Sequence, residues 1–182
     1  MKQTIVILCL VITMASCNNA NTSKTGTDST TTTEKAATPA MELPFKLEQP
    51  YKNWQIGSTE NAVAAMKALK AFVDKDFAAL TALTGDTLEV TMDYFHAKMS
   101  RDSAIQFFTK GRPMYNDLAV SINDYESVIS EDKKDEWVTI WYKQTWKDAK
   151  GIVDSVSVIN DIKMQDGKMV TLNEMMNHYP KK

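Results

Sequence analysis

The sequence has few of the residues that build stapled, metal-binding or nucleic-acid-binding proteins. It contains two cysteines and two histidines in 182 residues. Cys9 lies inside an apolar N-terminal run and Cys17 just after it. Once that run is removed a single thiol remains, which excludes an internal disulfide, a cysteine-ligated metal and a framework of crosslinks. His96 and His178 have no carboxylate or histidine partner at ligand spacing, so neither metal nor cofactor is expected. An excess of charge of one sign is also missing. Lys and Arg number 21 against 23 Asp and Glu, for a net charge of −2. The bases are scattered among the acids, and nucleic acid is not an expected partner, because phosphate binding needs a clustered basic face. Long hydrophobic runs are limited to residues 5–14, too short to span a bilayer as a helix.

That run is nevertheless informative. Lys2 precedes it and the small residues Ala15 and Ser16 follow, which is the layout of an export signal over residues 1–16. Met14-Ala15-Ser16-Cys17 resembles the lipobox of bacterial lipoproteins. The resemblance implies cleavage before Cys17, lipidation of that residue, and a lipid-anchored location in the bacterial cell envelope, at the outer membrane. An ordinary secretion signal is the simpler alternative, but it would leave Cys17 as an unpaired exported thiol.

Residues 17–44 follow as a tether rich in Thr, Ser and Asn with almost no large apolar side chains. Such a composition cannot bury enough surface to offset the entropy of ordering. As a flexible coil, about 27 residues reach roughly 30 Å, enough to hold a domain clear of lipid headgroups. The domain itself is read over 45–182.

Ser58 and Thr59 ahead of Glu60 cap a first helix with Ala62, Met66, Leu69, Phe72 and Val73 on its apolar stripe. A short second helix from Asp76 is expected to stop at Gly85. Leu88, Val90, Met92 and Tyr94 alternate with polar residues as a strand does, and Ser100 caps a third helix ended by Pro113. Long strand-like segments then run over 118–130, 136–147, 152–164 and 168–178, separated by turn residues. Helices followed by hairpins predict an α+β domain.

This order, with Asp76-Phe77-Ala78-Ala79-Leu80, the Gly85-Asp86-Thr87-Leu88 strand entry, the helix over 100–110 and the closing DGKMVTLNEMM, resembles the nuclear transport factor 2-like superfamily. The resemblance implies a cone-shaped, curved antiparallel sheet with three N-terminal helices packed on its concave face and a cavity between them. Its members include ketosteroid isomerases, scytalone dehydratases, SnoaL-type cyclases and non-catalytic modules, so it speaks to fold before function.

Register decides which side chains would face such a cavity. Pairing Lys147 with Ile152 sets Trp137 and Trp141 on one face with Val158, Asn160 and Ile162, and turns Tyr142, Gln144 and Trp146 to the other. A three-residue loop at Gln165-Asp166-Gly167 sets Leu172, Glu174 and Met176 on the inner face. The pocket candidates are therefore Met92, Tyr94, Trp137, Trp141, Asn160 and Glu174. The tryptophans could stack on a flat ligand or simply fill the core, while a carboxyl in an apolar cavity has its pKa pushed upward.

The catalytic set that the isomerase resemblance implies is not present. Ungapped alignment puts Ala68 at the tyrosine position and Met92 at the base, and neither histidine is placed for dehydratase chemistry. The expected function is a membrane-tethered binding domain whose partner is a small apolar ligand or a protein. The alternative is an isomerase, dehydratase or cyclase using Glu174 and Asn160. A homodimer through the outer sheet face, with Tyr142, Trp146 and Ile159, is a further expected partner.

Overall fold

The computed structural model describes residues 43–178. The expected leader over 1–16, Cys17 and the expected tether up to residue 42 lie outside the described residues. Contacts divide the chain into Met1–Lys46 and Leu47–Lys182, and every regular element described belongs to the second unit.

Chain order gives β1 (Gln55–Ile56), α1 (Thr59–Asp74), α2 (Phe77–Ala82), β2 (Thr84–Met92), β3 (Phe95–Ser100), α3 (Arg101–Gly111), a 3-10 turn (Arg112–Met114), and then β4 (Asn116–Ile129), β5 (Glu136–Lys147), β6 (Val153–Gln165) and β7 (Lys168–His178). The helices start where side chains cap them. Ser58 accepts from the Asn61 N–H at 2.9 Å, Asp76 from Ala79 at 2.9 Å and Ser100 from Ser103 at 3.3 Å, each satisfying an N–H that has no partner inside its helix.

Helix α1 departs from its expected stripe. Its buried residues are Ala62, Ala65, Ala68 and Ala71, and Met66, Leu69 and Phe72 flank them half-buried. The alanines let the helix axis come close to the strands, so the larger residues pack beside the contact rather than in it. Gly85 is not a helix stop. It lies inside β2, where a Cβ would meet Val170 Cγ1 at 2.9 Å, so its role is close strand approach.

The α+β domain is built on one seven-stranded mixed sheet of order β1-β4-β5-β6-β7-β2-β3. The expected all-antiparallel arrangement fails at one place, because β2 runs parallel to β7. These strands are joined through the whole intervening chain and not by a hairpin, so no tight turn dictates an antiparallel pairing. Strand β3, which the sequence reading missed, forms a hairpin with β2 across Asp93-Tyr94. Its Phe95 ring stacks on Phe107 of α3 with centroids 4.9 Å apart. The short β1 is held to the β4 edge by Gln55–Ile129 and Ile56–Val128 pairing.

One face of the sheet carries the core. Leu88 and Val90, Val138, Ile140 and Tyr142, Val156, Val158 and Ile162, and Leu172 are buried there with the α1 alanines, Ala104 and Phe108.

Candidate functional site

The alternation of β5 places a tyrosine, not the tryptophans, in the interior. Lys147 pairs with Val153, one residue beyond the expected Ile152, which pairs Val138 with Ile162, Ile140 with Asn160 and Tyr142 with Val158. The slip has a local cause. Asp148 Oδ1 accepts from both Lys150 and Ile152 N–H groups at 2.8 Å, and the Asp148 N–H donates to the Ile152 carbonyl at 2.9 Å. This side-chain-braced turn takes in Ile152 as a fifth loop residue, and an odd shift turns every side chain of β5 over.

Trp137 and Trp141 are therefore on the outer face. Trp137 pairs with Lys163, whose ammonium lies 6.0 Å from the indole centroid, and Trp141 pairs with Ile159. Tyr94 occupies the tip of the β2–β3 turn, fully exposed. None of these three lines the cavity between the sheet and the helices. The outer face expected of a homodimer is corrected in the same way. Tyr142 is 1% exposed inside the core and Trp146 packs edge-on against Tyr115, which leaves Trp141, Ile159 and Met175 as the apolar row across the outer face.

The β6–β7 hairpin also differs from expectation, without moving Glu174 off the inner face. Gln165 pairs with Lys168 across a two-residue Asp166-Gly167 turn with φ of 51° and 73°, the left-handed pair that a tight hairpin requires. Alone, this turn would put Glu174 on the outer face. A bulge at the Met164–Met169 and Lys163–Thr171 pairs inserts Val170 as an extra residue, and restores the parity. Glu174 is then directly opposite Asn160, and Leu172 opposite Ile162.

These residues face a cavity of about 230 Å³ between the sheet and the helices. Its walls come from Leu69 and Phe72 of α1, Phe107 and Phe108 of α3, Met92, Ile162 and Leu172, and its polar groups are Tyr115, Tyr142, Gln144, Asn160 and Glu174. Of the six sequence candidates, Met92, Asn160 and Glu174 line it. Tyr142 and Gln144 were legible as pocket residues only with the correct β5 register. Tyr115 follows a helix and a turn, and no periodicity pointed to it.

The polar groups converge. The Tyr142 hydroxyl donates toward the Glu174 carboxyl and accepts from the Asn160 amide. Burial pushes the Tyr142 phenol well above its ordinary range, and the neighbouring Glu174 charge adds to the shift. Glu174 is pushed up to about 7, first by burial and then by the charge of Asp93 in the β2–β3 turn, with the Tyr142 hydrogen bond opposing. Glu174 keeps some accessible surface, but it lines the cavity, so much of that surface belongs to an apolar chamber that solvates charge poorly. Asn160 is 5% exposed and its Oδ1 has no hydrogen-bond partner, although a buried acceptor normally finds one.

Elsewhere, His96 Nε2 is 2.9 Å from Glu89 Oε1 on the exposed β2–β3 hairpin, and His178 is exposed at the end of β7. Among the described residues no group of three His, Cys, Asp or Glu converges on a metal position.

No family model matches the sequence, and no curated protein matches it. Solved structures do match in fold. An LEH-like epoxide hydrolase from M. tuberculosis is 15% identical, with TM-score 0.54 over 66% of this chain and 80% of its own. An NTF2-like protein of unknown function from Burkholderia pseudomallei is 12% identical, with TM-score 0.54 over 66% and 92%. TerC, co-crystallised with polyporic acid, is 11% identical, with TM-score 0.53 over 65% and 92%. The domain has the nuclear transport factor 2-like fold. At these identities the likeness extends to architecture and not to activity.

Proposed function

We propose that this is a small-molecule-binding domain, its helices set over the concave face of a cone-shaped sheet, on a chain held at the bacterial envelope by lipidated Cys17. The observation that carries the reading is the cavity itself, with apolar walls and a single convergence of polar groups at Glu174, Tyr142 and Asn160. That is the usual composition of a ligand site, in which shape and apolar area hold the ligand and a few polar groups orient it. An apolar cavity of about 150 Å³ suffices for benzene, so 230 Å³ suits a compact ligand of one or two rings. A neighbour of the same fold crystallised with polyporic acid supports a small-molecule occupant.

Trp146 supplies the readout. Its ring meets Tyr115 at 5.3 Å and 87°, and Tyr115 lines the cavity. Ligand binding should change the tryptophan emission of the wild type and of Trp141→Phe, and the change should vanish in Trp146→Phe. Trp141→Ala should leave affinity unaltered and cost only about 1 kcal/mol, because its ring lies half-exposed on the outer face. Loss of ligand binding in Trp141→Ala would return the site to the other face of β5.

A second reading is favoured by one observation, the Glu174 carboxyl held near neutrality. A general acid or base works best with its pKa close to the operating pH, and Glu174 beside Asn160 could move a proton in an isomerase, dehydratase or cyclase reaction. Glu174→Gln tests it, since a catalyst would keep ligand affinity and lose turnover.

The anchor has its own test. Cys17→Ser should move the protein from the membrane to the soluble fraction and abolish the mass increment of the lipid. An unaltered membrane fraction would remove the tether from this proposal.

A further inference from the structure

The cavity's polar groups are unevenly provided. Beside the Tyr115 hydroxyl and the Gln144 amide, which also line it, the cavity presents two open acceptors, the unpartnered Asn160 Oδ1 and the Glu174 carboxylate. The Tyr142 hydrogen is already directed at Glu174, and the Asn160 amide at Tyr142. No Lys, Arg or His lines the space, while five aromatic rings do, those of Phe72, Phe107, Phe108, Tyr115 and Tyr142. We infer that the occupant this cavity is built to take is a small organic cation, an ammonium group on a compact apolar body. This inference rests on the small-molecule reading above and names the ligand's chemistry.

An ammonium brings up to three N–H donors, enough to engage Glu174 and Asn160 Oδ1 together, and no acceptor that would go unmatched. Its charge balances a carboxylate that has no counter-ion in the cavity, and a buried carboxylate left unpaired is strongly disfavoured. Aromatic faces attract a cation through their quadrupole, which apolar aliphatic walls would not do. An anion meets the opposite conditions, because Glu174 and, at the β2–β3 turn, Asp93 both repel it. A neutral carbonyl ligand would leave the Glu174 carboxylate without a counter-charge and Asn160 Oδ1 without a donor.

The groups facing Glu174 are few. Tyr142 comes from β5, Asp93 from the turn after β2, and Tyr115 precedes β4, each coupled to the Glu174 carboxyl. Helices α1, α2 and α3 contribute no titratable side chain to the lining. The nearby guanidinium of Arg112 is committed to the carbonyls of Phe72, Val73 and Tyr115 and does not line the cavity.

The test uses the full mature chain and an isosteric series of benzylamine, benzyl alcohol and benzoate, titrated calorimetrically at pH 6, 7 and 8. Benzylamine should bind at least tenfold tighter than benzyl alcohol at pH 8, and benzoate should not bind measurably. With Glu174 near 7, only its ionised fraction receives the ammonium, so benzylamine affinity should weaken about tenfold from pH 8 to pH 6. Benzyl alcohol affinity should change little. Glu174→Gln should lose the preference for the amine, so that benzylamine binds no tighter than benzyl alcohol at pH 8. The inference is overturned if the alcohol or benzoate binds as well as the amine at pH 8, or if amine affinity in the wild type is independent of pH. That second arm needs no variant to fold. Alcohol binding without amine preference would leave the small-molecule reading standing alone, whereas no binding by any probe, with Trp146 emission unchanged, would remove both.

Discussion

Glu174→Gln is expected to stabilise the folded domain at pH 8, by up to roughly 3 kcal/mol, although the residue lies in the candidate site. The size comes from moving a carboxyl from its ordinary 4.5 to about 7, each unit corresponding to about 1.36 kcal/mol between the two protonation states. The sign follows from proton counting. Between 4.5 and 7 the native state holds a proton on Glu174 that the unfolded chain has released, so stability falls as pH rises through that window and levels off above 7. Glutamine cannot ionise and removes the slope. Its amide also suits the site, because Asn160 pairs directly with position 174, so the new N–H can donate to the unpartnered Asn160 Oδ1 while the amide oxygen still accepts from Tyr142. Urea unfolding of both proteins at pH 5 and pH 8 measures the effect, as a gap that widens with pH. A variant less stable than wild type at pH 8 would mean that Glu174 is ionised and well solvated in the native state.

Such an inversion, a site residue whose replacement strengthens the fold, would be the usual sign that a local arrangement serves function at the expense of stability. A carboxylate sharing a chamber with phenylalanines contributes nothing to folding that leucine would not contribute better. Its place opposite Asn160 suits what enters the cavity better than what holds the sheet together.

Much of the fold was legible because its strands separate apolar from polar faces. Leu88 and Val90 on β2, and Val156, Val158 and Ile162 on β6, alternate with polar residues, and all five are buried. Strand β5 allowed no such separation. One parity offers Trp137 and Trp141, the other Val138, Ile140 and Tyr142, and the large indoles draw attention to the wrong set. The aliphatic set forms the core, and the deciding signal was in the turn, where the Asp148 side chain can bond the N–H groups of Lys150 and Ile152 and draw Ile152 into the loop. For β7 two departures cancelled. The tight Asp166-Gly167 turn and the bulge at Val170 together leave Glu174 facing inward, as the longer loop would have done. A bulge has no pattern of its own in a single sequence, so the inward position of Glu174 was reached by a pairing that the structure does not use. Strand β3 was missed because Phe95 to Ser100 is mostly exposed and carries little alternation to read.

Arg112→Ala should be the most damaging single change outside the aliphatic core, costing roughly 3 kcal/mol. Helix α1 ends at Asp74 with no basic residue in its last turn, so its terminal carbonyls and the negative end of its dipole need a cation from elsewhere. Arg112 supplies it from 40 residues away along the chain. Its Nε donates to the Phe72 carbonyl at 3.0 Å, its Nη2 to Val73 at 2.7 Å and its Nη1 to Tyr115. Arg112 is 5% exposed, and its guanidinium carbon lies 5.9 Å from the Phe72 ring centroid. Truncation would leave these carbonyls without charged donors in a place that water reaches poorly. The consequence extends to the cavity, because Phe72 and Tyr115 form two of its walls and the guanidinium ties their backbones together. Ligand affinity should therefore fall in the variant even below its unfolding temperature. Arg112→Lys should recover less than half of the lost stability, because a single ammonium on a flexible stem cannot reproduce a planar fork that reaches carbonyls on both α1 and the approach to β4. Denaturation midpoints and ligand titrations of both variants check the two effects together. Full rescue by lysine would show that charge at the helix terminus is sufficient and that the tie between α1 and the approach to β4 carries no weight.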